Sequence, residues 1–183
     1  IILGRNDGRP KIRTGGMFRG TGGERTAGHR FIPGVSEKGP LCAVSQQKLT
    51  DPAGPYILVK DTLQALKDGA EAYRKTLSIP VIGVTGSVGK TSTKEMIAAV
   101  LGRKYHVLRT PGNFNNEIGL PLTIFMIDRE HEAAVLEMGM NNFGEMHRLS
   151  SIDRPTHCFF TKLGVAHLDC LSSGAGIYNG KSE

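Results

Sequence analysis

The stretch from Ile79 to Tyr105 constrains the fold of this chain more than any other feature. It begins with the apolar run IPVIGVT, continues through the glycine loop GSVG and passes into KTSTKEMIAAVLGRKY. The last segment carries apolar residues at the spacing of one helix face: Met96, Ile97, Val100 and Leu101. An apolar strand, a glycine loop and a helix in this order are typical of a parallel α/β unit with a phosphate site between the strand and the helix.

The segments after this unit continue the alternation of strands and helices. HVLRT, AAVLEM and THCFFTKL read as strands, and we expect the last two to be buried. LPLTIFMI and FGEMHRLSSI read as helices between them. We therefore predict that residues 78–183 are part of a P-loop domain with a mainly parallel sheet and flanking helices.

Residues 1–77 carry weaker signals of a smaller α/β domain. Residues 1–30 are dense in Gly, Arg and Thr with little periodicity, which predicts loops. FIPGVSEKG reads as a short helix, and LCAVS and YILVK read as strands. Asp61 stands at the N-cap of an amphipathic helix, DTLQALKDGAEAYRKTL, which we expect to close this domain.

Composition excludes several classes of protein. With 39% hydrophobic and 22% charged residues the chain is neither disordered nor fibrous. Its three cysteines have no CxxC spacing, so neither a disulfide framework nor a zinc site is indicated, and a cytoplasmic location is expected. The net charge of +6 is concentrated near the start, which we interpret as a solvated surface rather than a nucleic-acid site. No run is long and apolar enough for a membrane span.

The loop itself predicts a nucleotide site. Gly86 and Gly89 allow the backbone to turn so that successive N–H groups face phosphate oxygens, and the helix dipole adds positive potential. Lys90 is placed to reach the terminal phosphates and Thr91 to offer its hydroxyl to magnesium. The spacing is shorter than in GxxxxGK[ST], and the alternative is a simple glycine turn. The predicted nucleotide-binding residues are Thr85, Gly86, Ser87, Val88, Gly89, Lys90, Thr91 and Ser92.

Two residues are candidates for completing a metal site. Glu137 ends the strand AAVLEM, where burial makes a carboxylate expensive unless it holds a cation or accepts hydrogen bonds. His167 follows the strand THCFFT. The alternatives are that Glu137 is a strand-end carboxylate facing solvent and that His167 is a structural hydrogen-bond donor.

Four segments resemble the Mur ligase family: VTGSVGKTSTKEM, TPGNFNNEIGLP, LEMGMNNFGEM and LGVAHLDCL with the later GKSE. The resemblance is specific from Ile79 to Glu183. Before it, GERTAGHRFI and the helix ILVKDTLQALKDGAEAYRK resemble the UDP-binding domain of the family and the stretch that joins it to the ATPase domain, so the UDP-binding domain would occupy residues 1–77.

The resemblance implies an activity and its substrates. It implies that ATP phosphorylates the terminal carboxylate of UDP-N-acetylmuramoyl-tripeptide in peptidoglycan synthesis. The amine of D-alanyl-D-alanine then attacks the acyl phosphate and forms an amide. ATP and Mg²⁺ are the implied cofactors, and we expect a monomer with no nucleic-acid partner.

The resemblance also assigns roles to single residues. Lys90 would stabilise the γ-phosphate, Thr91 and Glu137 would bind one magnesium ion, and His167 a second. Lys181 matches the family lysine that is carbamylated and helps to bind the second ion. Asn115 and Asn116 match a loop that handles the UDP substrate, although turn chemistry before a helix also explains them.

Two alternatives stay open. The chain begins at Ile1 and ends at Glu183, shortly after Lys181, so we expect a piece of a longer protein without the C-terminal ligase domain. Such a piece would at most bind nucleotide and would be inactive alone. The second alternative is another ligase of this architecture, such as one that adds a different amino acid or extends folate with glutamate.

Overall fold

The computed structural model describes residues 2–3, 17–19, 42–50, 54–140, 142 and 144–162. The chain divides into two compact units, Ile1–Leu66 and Lys67–Glu183. Both units are α/β with parallel strands, as the sequence predicts. The predicted helix at FIPGVSEKG lies outside the described residues. The proposed domain division after residue 77 stays a prediction.

The first unit contains a four-stranded parallel sheet. Its strands are β1 (Ile2–Leu3), β2 (Met17–Arg19), β3 (Cys42–Ser45) and β4 (Tyr56–Leu58), paired in that order. Strands β3 and β4 confirm the sequence prediction. The prediction of loops throughout residues 1–30 is wrong for β1 and β2, because strands of two and three residues are too short to give a period-2 pattern.

Helix α1 (Thr62–Lys75) begins where the sequence predicts. The Oδ1 atom of Asp61 accepts hydrogen bonds from the backbone N–H groups of Leu63 at 2.7 Å and Gln64 at 3.2 Å. These bonds satisfy two of the amides that a helix start leaves without a partner. The N-cap role of Asp61 is confirmed.

The second unit is built on a sheet with the order β6-β7-β5-β8. The strands are β5 (Val81–Thr85), β6 (Val107–Arg109), β7 (Ala133–Glu137) and β8 (His157–Phe160), and all three pairings are parallel. Every residue of β5 and β7 is buried. This burial on both faces explains why their sequences are continuous apolar runs rather than alternating ones.

Besides most of α1, the described part of this unit contains three helices: α2 (Lys90–Leu101), α3 (Gly119–Ile124) and α4 (Glu145–Asp153). Because successive strand side chains face opposite sides, β5 contributes to two separate apolar clusters. Ile82 and Val84 pack with Ala98 of α2, whereas Val81 packs with residues of α3 and α4. None of the helices among the described residues is long and apolar enough to cross a membrane.

The predicted apolar face of α2 is partly wrong. Met96 is 68% exposed and Val100 is 71% exposed, whereas Lys94 and Ala98 are the buried residues of the helix. Residues four positions apart share a helix face, so Lys94 and Ala98 define the packed side. The helix also ends at Leu101, with a glycine at its C-cap, instead of reaching residue 105.

The predicted burial of the last strand is also wrong. All four residues of β8 are exposed, including Phe159 at 49% and Phe160 at 51%. Among the described residues β8 pairs only with β5, so it is an edge strand there. An apolar run identifies a strand, but it does not say which of its faces another element covers.

Candidate active site

The predicted phosphate loop lies between β5 and α2, as a nucleotide site requires. Gly86 has φ 146° and Gly89 has φ 88°, conformations that side-chain-bearing residues rarely adopt. Helix α2 starts at Lys90 without a side-chain cap. The first backbone N–H groups of any helix lack an intrahelical acceptor, and with the positive end of the helix dipole they suit an anion.

The first half of the loop is fixed by the end of β8. Thr161 N–H donates to the carbonyl of Thr85 at 2.8 Å, and Thr161 Oγ1 donates to the carbonyl of Val88 at 2.7 Å. The N–H groups of Ser87 and Val88 donate to the carbonyl of Lys162 at 3.0 and 3.3 Å. These two amides hold the loop on the sheet, so a phosphate would be held by other amides, including those at the start of α2.

The approach of β8 to the loop explains the first glycine. A Cβ atom on Gly86 would lie 1.9 Å from Thr161 Oγ1, which no real side chain tolerates. Lys90 Nζ donates to the carbonyl of Gly86 at 2.9 Å, so the side chain folds over the loop. The hydroxyl of Thr85 is buried and has no hydrogen-bond partner within the described part of the chain.

Glu137 is the polar centre of the site. The residue is 2% exposed, and its Oε2 accepts a hydrogen bond from Thr91 Oγ1 at 3.0 Å. Its Oε1 accepts one from Asn115 Nδ2 at 2.8 Å. Strand β7 delivers the carboxylate from next to β5, and α2 delivers the hydroxyl from directly after the loop. The sequence predicted both residues for one site, and the fold brings them together.

These oxygen atoms suit a hard cation. Magnesium prefers carboxylate and hydroxyl oxygens together with phosphate oxygens and water. The carboxylate of Glu137 and the hydroxyl of Thr91 form such a donor pair beside the helix start. Among the residues that the structure describes, no cluster of three or more His, Cys, Asp or Glu side chains is arranged to hold a metal. A cation here would be held by this donor pair together with phosphate oxygens and water.

The two asparagines have different surroundings. The side chain of Asn115 contacts Glu137, and the backbone carbonyl of Asn115 accepts a hydrogen bond from Gly139 N–H at 2.7 Å. Asn116 Oδ1 accepts hydrogen bonds from the N–H groups of Ile118 and Gly119 at 3.1 and 2.8 Å, where α3 begins. The turn chemistry considered for these residues is therefore present at Asn116. Their contact with a UDP substrate stays a prediction.

His167 and Lys181 lie outside the described residues, and their roles stay predictions. Ser92 is exposed in the first turn of α2.

Sequence reasoning missed Lys94, which is fully buried in α2 next to Glu137. Its Nζ donates to the carbonyl of Thr110 at 2.8 Å and lies 3.8 Å from Glu137 Oε2. A lysine in a helix is ordinarily expected at the surface. The one signal for it was its position four residues after Lys90, which places both lysines on one helix face.

Comparisons with known proteins agree with this geometry. Residues 84–183 match the Mur ligase middle domain. The UDP-N-acetylmuramoyl-tripeptide--D-alanyl-D-alanine ligase of Bacillus subtilis (strain 168) is 44% identical over 175 residues, which are 94% of this chain and 38% of that protein. The ligase of the same name from Escherichia coli (strain K12) is 36% identical over 173 residues, 94% of this chain and 38% of that protein. The chain therefore spans little more than a third of these curated relatives.

Solved structures give the same result. A crystal structure of MurF from Acinetobacter baumannii matches with a TM-score of 0.87 and 34% identity, over 94% of this chain and 38% of that one. The MurF ligase from Thermotoga maritima in complex with ADP matches with a TM-score of 0.84 and 33% identity, over 93% of this chain and 40% of that one. Because the middle-domain match covers more than half of its residues and includes the phosphate loop, the chain belongs to the Mur ligase family.

Proposed function

We propose that this chain provides the nucleotide-binding part of an ATP-dependent ligase that adds D-alanyl-D-alanine to UDP-N-acetylmuramoyl-tripeptide in peptidoglycan synthesis. The observation that carries the proposal is the 3.0 Å contact between Thr91 Oγ1 and the buried carboxylate of Glu137, directly beside the glycine loop. Burial of a carboxylate is unfavourable unless hydrogen bonds or a cation compensate it, and a glycine turn without a function gives no reason to assemble such partners around Glu137 beside the loop.

The residues of the loop would bind and orient the polyphosphate. Amides at the start of α2 would donate to phosphate oxygens, and Lys90 would leave the carbonyl of Gly86 for the terminal phosphate. Thr91 and Glu137 would hold a magnesium ion, which would neutralise charge on the phosphates when it is bound. His167 is the proposed ligand of a second ion, which Lys181 would help to bind once its amine is carbamylated.

The relatives support the proposed substrates. The proteins from Bacillus subtilis and Escherichia coli are named for joining the same two substrates, and the matched Thermotoga maritima structure contains ADP. In the proposed reaction the tripeptide carboxylate takes the γ-phosphoryl group of ATP. The dipeptide amine then displaces phosphate from the acyl phosphate, so ADP, phosphate and one amide are formed.

The nucleotide site is tested by replacing Lys90 with alanine. Binding of ADP in the presence of Mg²⁺ should weaken by about a hundredfold, because the only flexible cation of the loop motif that reaches the terminal phosphate is lost. Isothermal titration calorimetry on the 183-residue chain measures the change. Lys104→Ala, an exposed lysine just beyond α2, is the control and should bind like the parent. Equal ADP affinity in the parent chain and Lys90→Ala would remove the basis of the proposal.

Ligation is tested separately from binding. Phosphate release from ATP is followed with UDP-N-acetylmuramoyl-tripeptide, with and without D-alanyl-D-alanine, and the amide product is identified by mass spectrometry. Release that depends on both substrates supports the proposed ligase. Nucleotide binding without product supports the alternative in which this chain alone binds nucleotide and is inactive. A product formed with a different amine supports another ligase of the family.

A further inference from the structure

Lys94 has the largest of the fully buried side chains among the described residues, with 0% exposure. A buried ammonium group is unfavourable unless charged and hydrogen-bonding partners surround it. The partners found here are the Thr110 carbonyl at 2.8 Å, Glu95 Oε1 at 3.1 Å and Glu137 Oε2 at 3.8 Å. The lysine therefore connects helix α2 with the ends of two neighbouring strands.

Thr110 makes this connection rigid. Its N–H donates to the carbonyl of Val135 at 3.1 Å, and its Oγ1 accepts the N–H of Glu137 at 2.8 Å. The residue that anchors Lys94 through its carbonyl thus also anchors the backbone of Glu137 through its hydroxyl. A displacement of the Lys94 ammonium group would therefore also displace Glu137 through Thr110.

Lys94 lies closer to Glu95 than to Glu137, but Glu137 is the more deeply buried of its two carboxylate partners. Glu95 is 47% exposed at its side chain and forms a second ion pair with Arg109, whose Nε lies 2.8 Å from Glu95 Oε2. Glu137 is enclosed and is otherwise bonded to two neutral donors, Thr91 and Asn115. A charge pair in such a low-dielectric setting is stronger than one at the surface.

The distance of 3.8 Å has a further consequence. It exceeds the range of an N–H···O hydrogen bond, so Lys94 balances the charge of Glu137 Oε2 without occupying its lone pairs. The charge of Lys94 stabilises the carboxylate from the protein interior, and the oxygen that faces Thr91 stays available to a cation. This arrangement suits a cation ligand that must be in place before the cation arrives.

We propose that Lys94 is a positioning residue for Glu137, holding the carboxylate in the orientation in which it binds a divalent cation beside the nucleotide. The inference rests on the proposed nucleotide function. Lys94 has no contact with the loop carbonyls that Lys90 uses, and its action on the nucleotide passes entirely through Glu137.

Lys94→Met tests this role, because methionine keeps the apolar stem and removes the charge. Binding of ADP is measured by calorimetry at increasing Mg²⁺ concentrations, at one pH. We expect the Mg²⁺ concentration for half-maximal enhancement of ADP binding to rise by about tenfold or more. Binding of ADP without Mg²⁺ should be unchanged, since the helix-start amides and Lys90 are intact.

Lys67→Met is the matched control. Lys67 is also a mostly buried lysine in a helix, paired with Glu117 at 3.0 Å. Its replacement removes a partly buried ion pair but should leave the Mg²⁺ dependence unaltered. If Lys94→Met weakens ADP binding equally with and without Mg²⁺, its role is merely structural and the inference is wrong. An unaltered Mg²⁺ dependence in Lys94→Met also overturns it.

The outcomes separate this inference from the proposed function. A parent chain whose ADP binding does not respond to Mg²⁺ contradicts the proposed function itself. A response in the parent that persists in Lys94→Met contradicts only the role of Lys94.

A second variant covers the case in which Lys94→Met does not fold. If the lysine acts through Glu137, Lys94→Met leaves the negative charge of Glu137 buried without a cationic partner. Glu137→Gln removes that charge, so the double variant Lys94→Met/Glu137→Gln should fold again. Restored cooperative unfolding, followed by circular dichroism, supports the pairing. A double variant as unfolded as Lys94→Met would overturn it.

Discussion

Asp153, at the end of α4, is a buried carboxylate that the proposed site does not use. It is 0% exposed, and neither carboxylate oxygen has a hydrogen-bond partner in the described part of the chain. Arg74 lies beside it but donates to backbone carbonyls, those of Asp153 at 2.7 Å, Leu77 at 2.9 Å and Arg154 at 3.0 Å. Burial raises the pKa of Asp153 from 3.8 to about 7, and the charge of Arg74 opposes the shift.

This pKa predicts that stability falls as pH rises. The folded state keeps the proton of Asp153 up to about pH 7, whereas the unfolded chain releases it near 3.8. The contribution of Asp153 is therefore fully present below the unfolded value and lost as pH rises through the folded one. The free energy of unfolding should drop by about 3 kcal/mol from about pH 5 to about pH 8 through this group alone. Arg74 and Cys158 are the ionisable groups that interact with it.

Asp153→Asn measures the contribution, because asparagine carries no charge to bury. Urea unfolding of both chains at the two pH values should give a smaller loss for the variant than for the parent. Parallel losses in the two chains would contradict the assignment, because other groups would then cause the pH dependence.

At the scale of residues, the sequence predicted which side chains form the candidate site better than it predicted which side chains are buried. Thr91 and Glu137 could be assigned to one site because a loop end and a neighbouring strand end meet at one edge of a parallel sheet. Lys94 and Asp153 could not be predicted as buried, because residue type alone places both at the surface. Their burial follows from packing between elements distant in sequence.

At the scale of elements, the loop depends on its contact with the end of β8. An alanine at Gly86 would combine an unfavourable φ of 146° with a Cβ at 1.9 Å from Thr161 Oγ1. We expect Gly86→Ala to separate the loop from Thr161, to lower the free energy of unfolding by about 3 kcal/mol and to weaken ADP binding. Urea unfolding and calorimetry measure the two effects.

Gly112→Ala is the control for backbone strain alone. Gly112 also has a positive φ, 53°, but a Cβ atom added to it would meet no other atom within 4 Å. Its replacement should lower the free energy of unfolding by about 1 kcal/mol and leave ADP binding unaltered. Equal effects of the two substitutions would show that conformation, rather than the contact with Thr161, makes Gly86 necessary.

The periodic pattern predicted most elements and failed where neighbours decide exposure. Helix α1 with its Asp61 cap and the buried strands β5 and β7 follow from local signals. The exposure of Met96 and of β8 does not, because the pattern records which residues are apolar and not which face is covered.

At the scale of the whole molecule, the proposed function requires two ligands, ATP and a UDP-linked substrate, which we assign to different parts of the chain. The phosphate loop, Glu137 and the two asparagines predicted to contact the UDP substrate, Asn115 and Asn116, lie in the unit Lys67–Glu183, whereas the proposed UDP-binding domain is residues 1–77. The family match begins at residue 84, so it supports the first assignment and leaves the second as a proposal. Substrate identity lies beyond what local patterns predict, because it depends on residues that the strand and loop signals do not mark.

Hydrogen exchange with mass spectrometry separates the two assignments. A ligand that binds only the folded state stabilises the unit that holds it, by about 2.7 kcal/mol at a hundred times its dissociation constant. ADP with Mg²⁺ should therefore slow exchange in peptides of β5 and β7 and leave those of β3 and β4 unaltered. UDP should have the reverse effect, and adenosine, which lacks the phosphates that the loop would hold, serves as the control for ADP. Protection of β3 by ADP would contradict the placement of the nucleotide site, and no response to UDP would contradict the proposed role of residues 1–77.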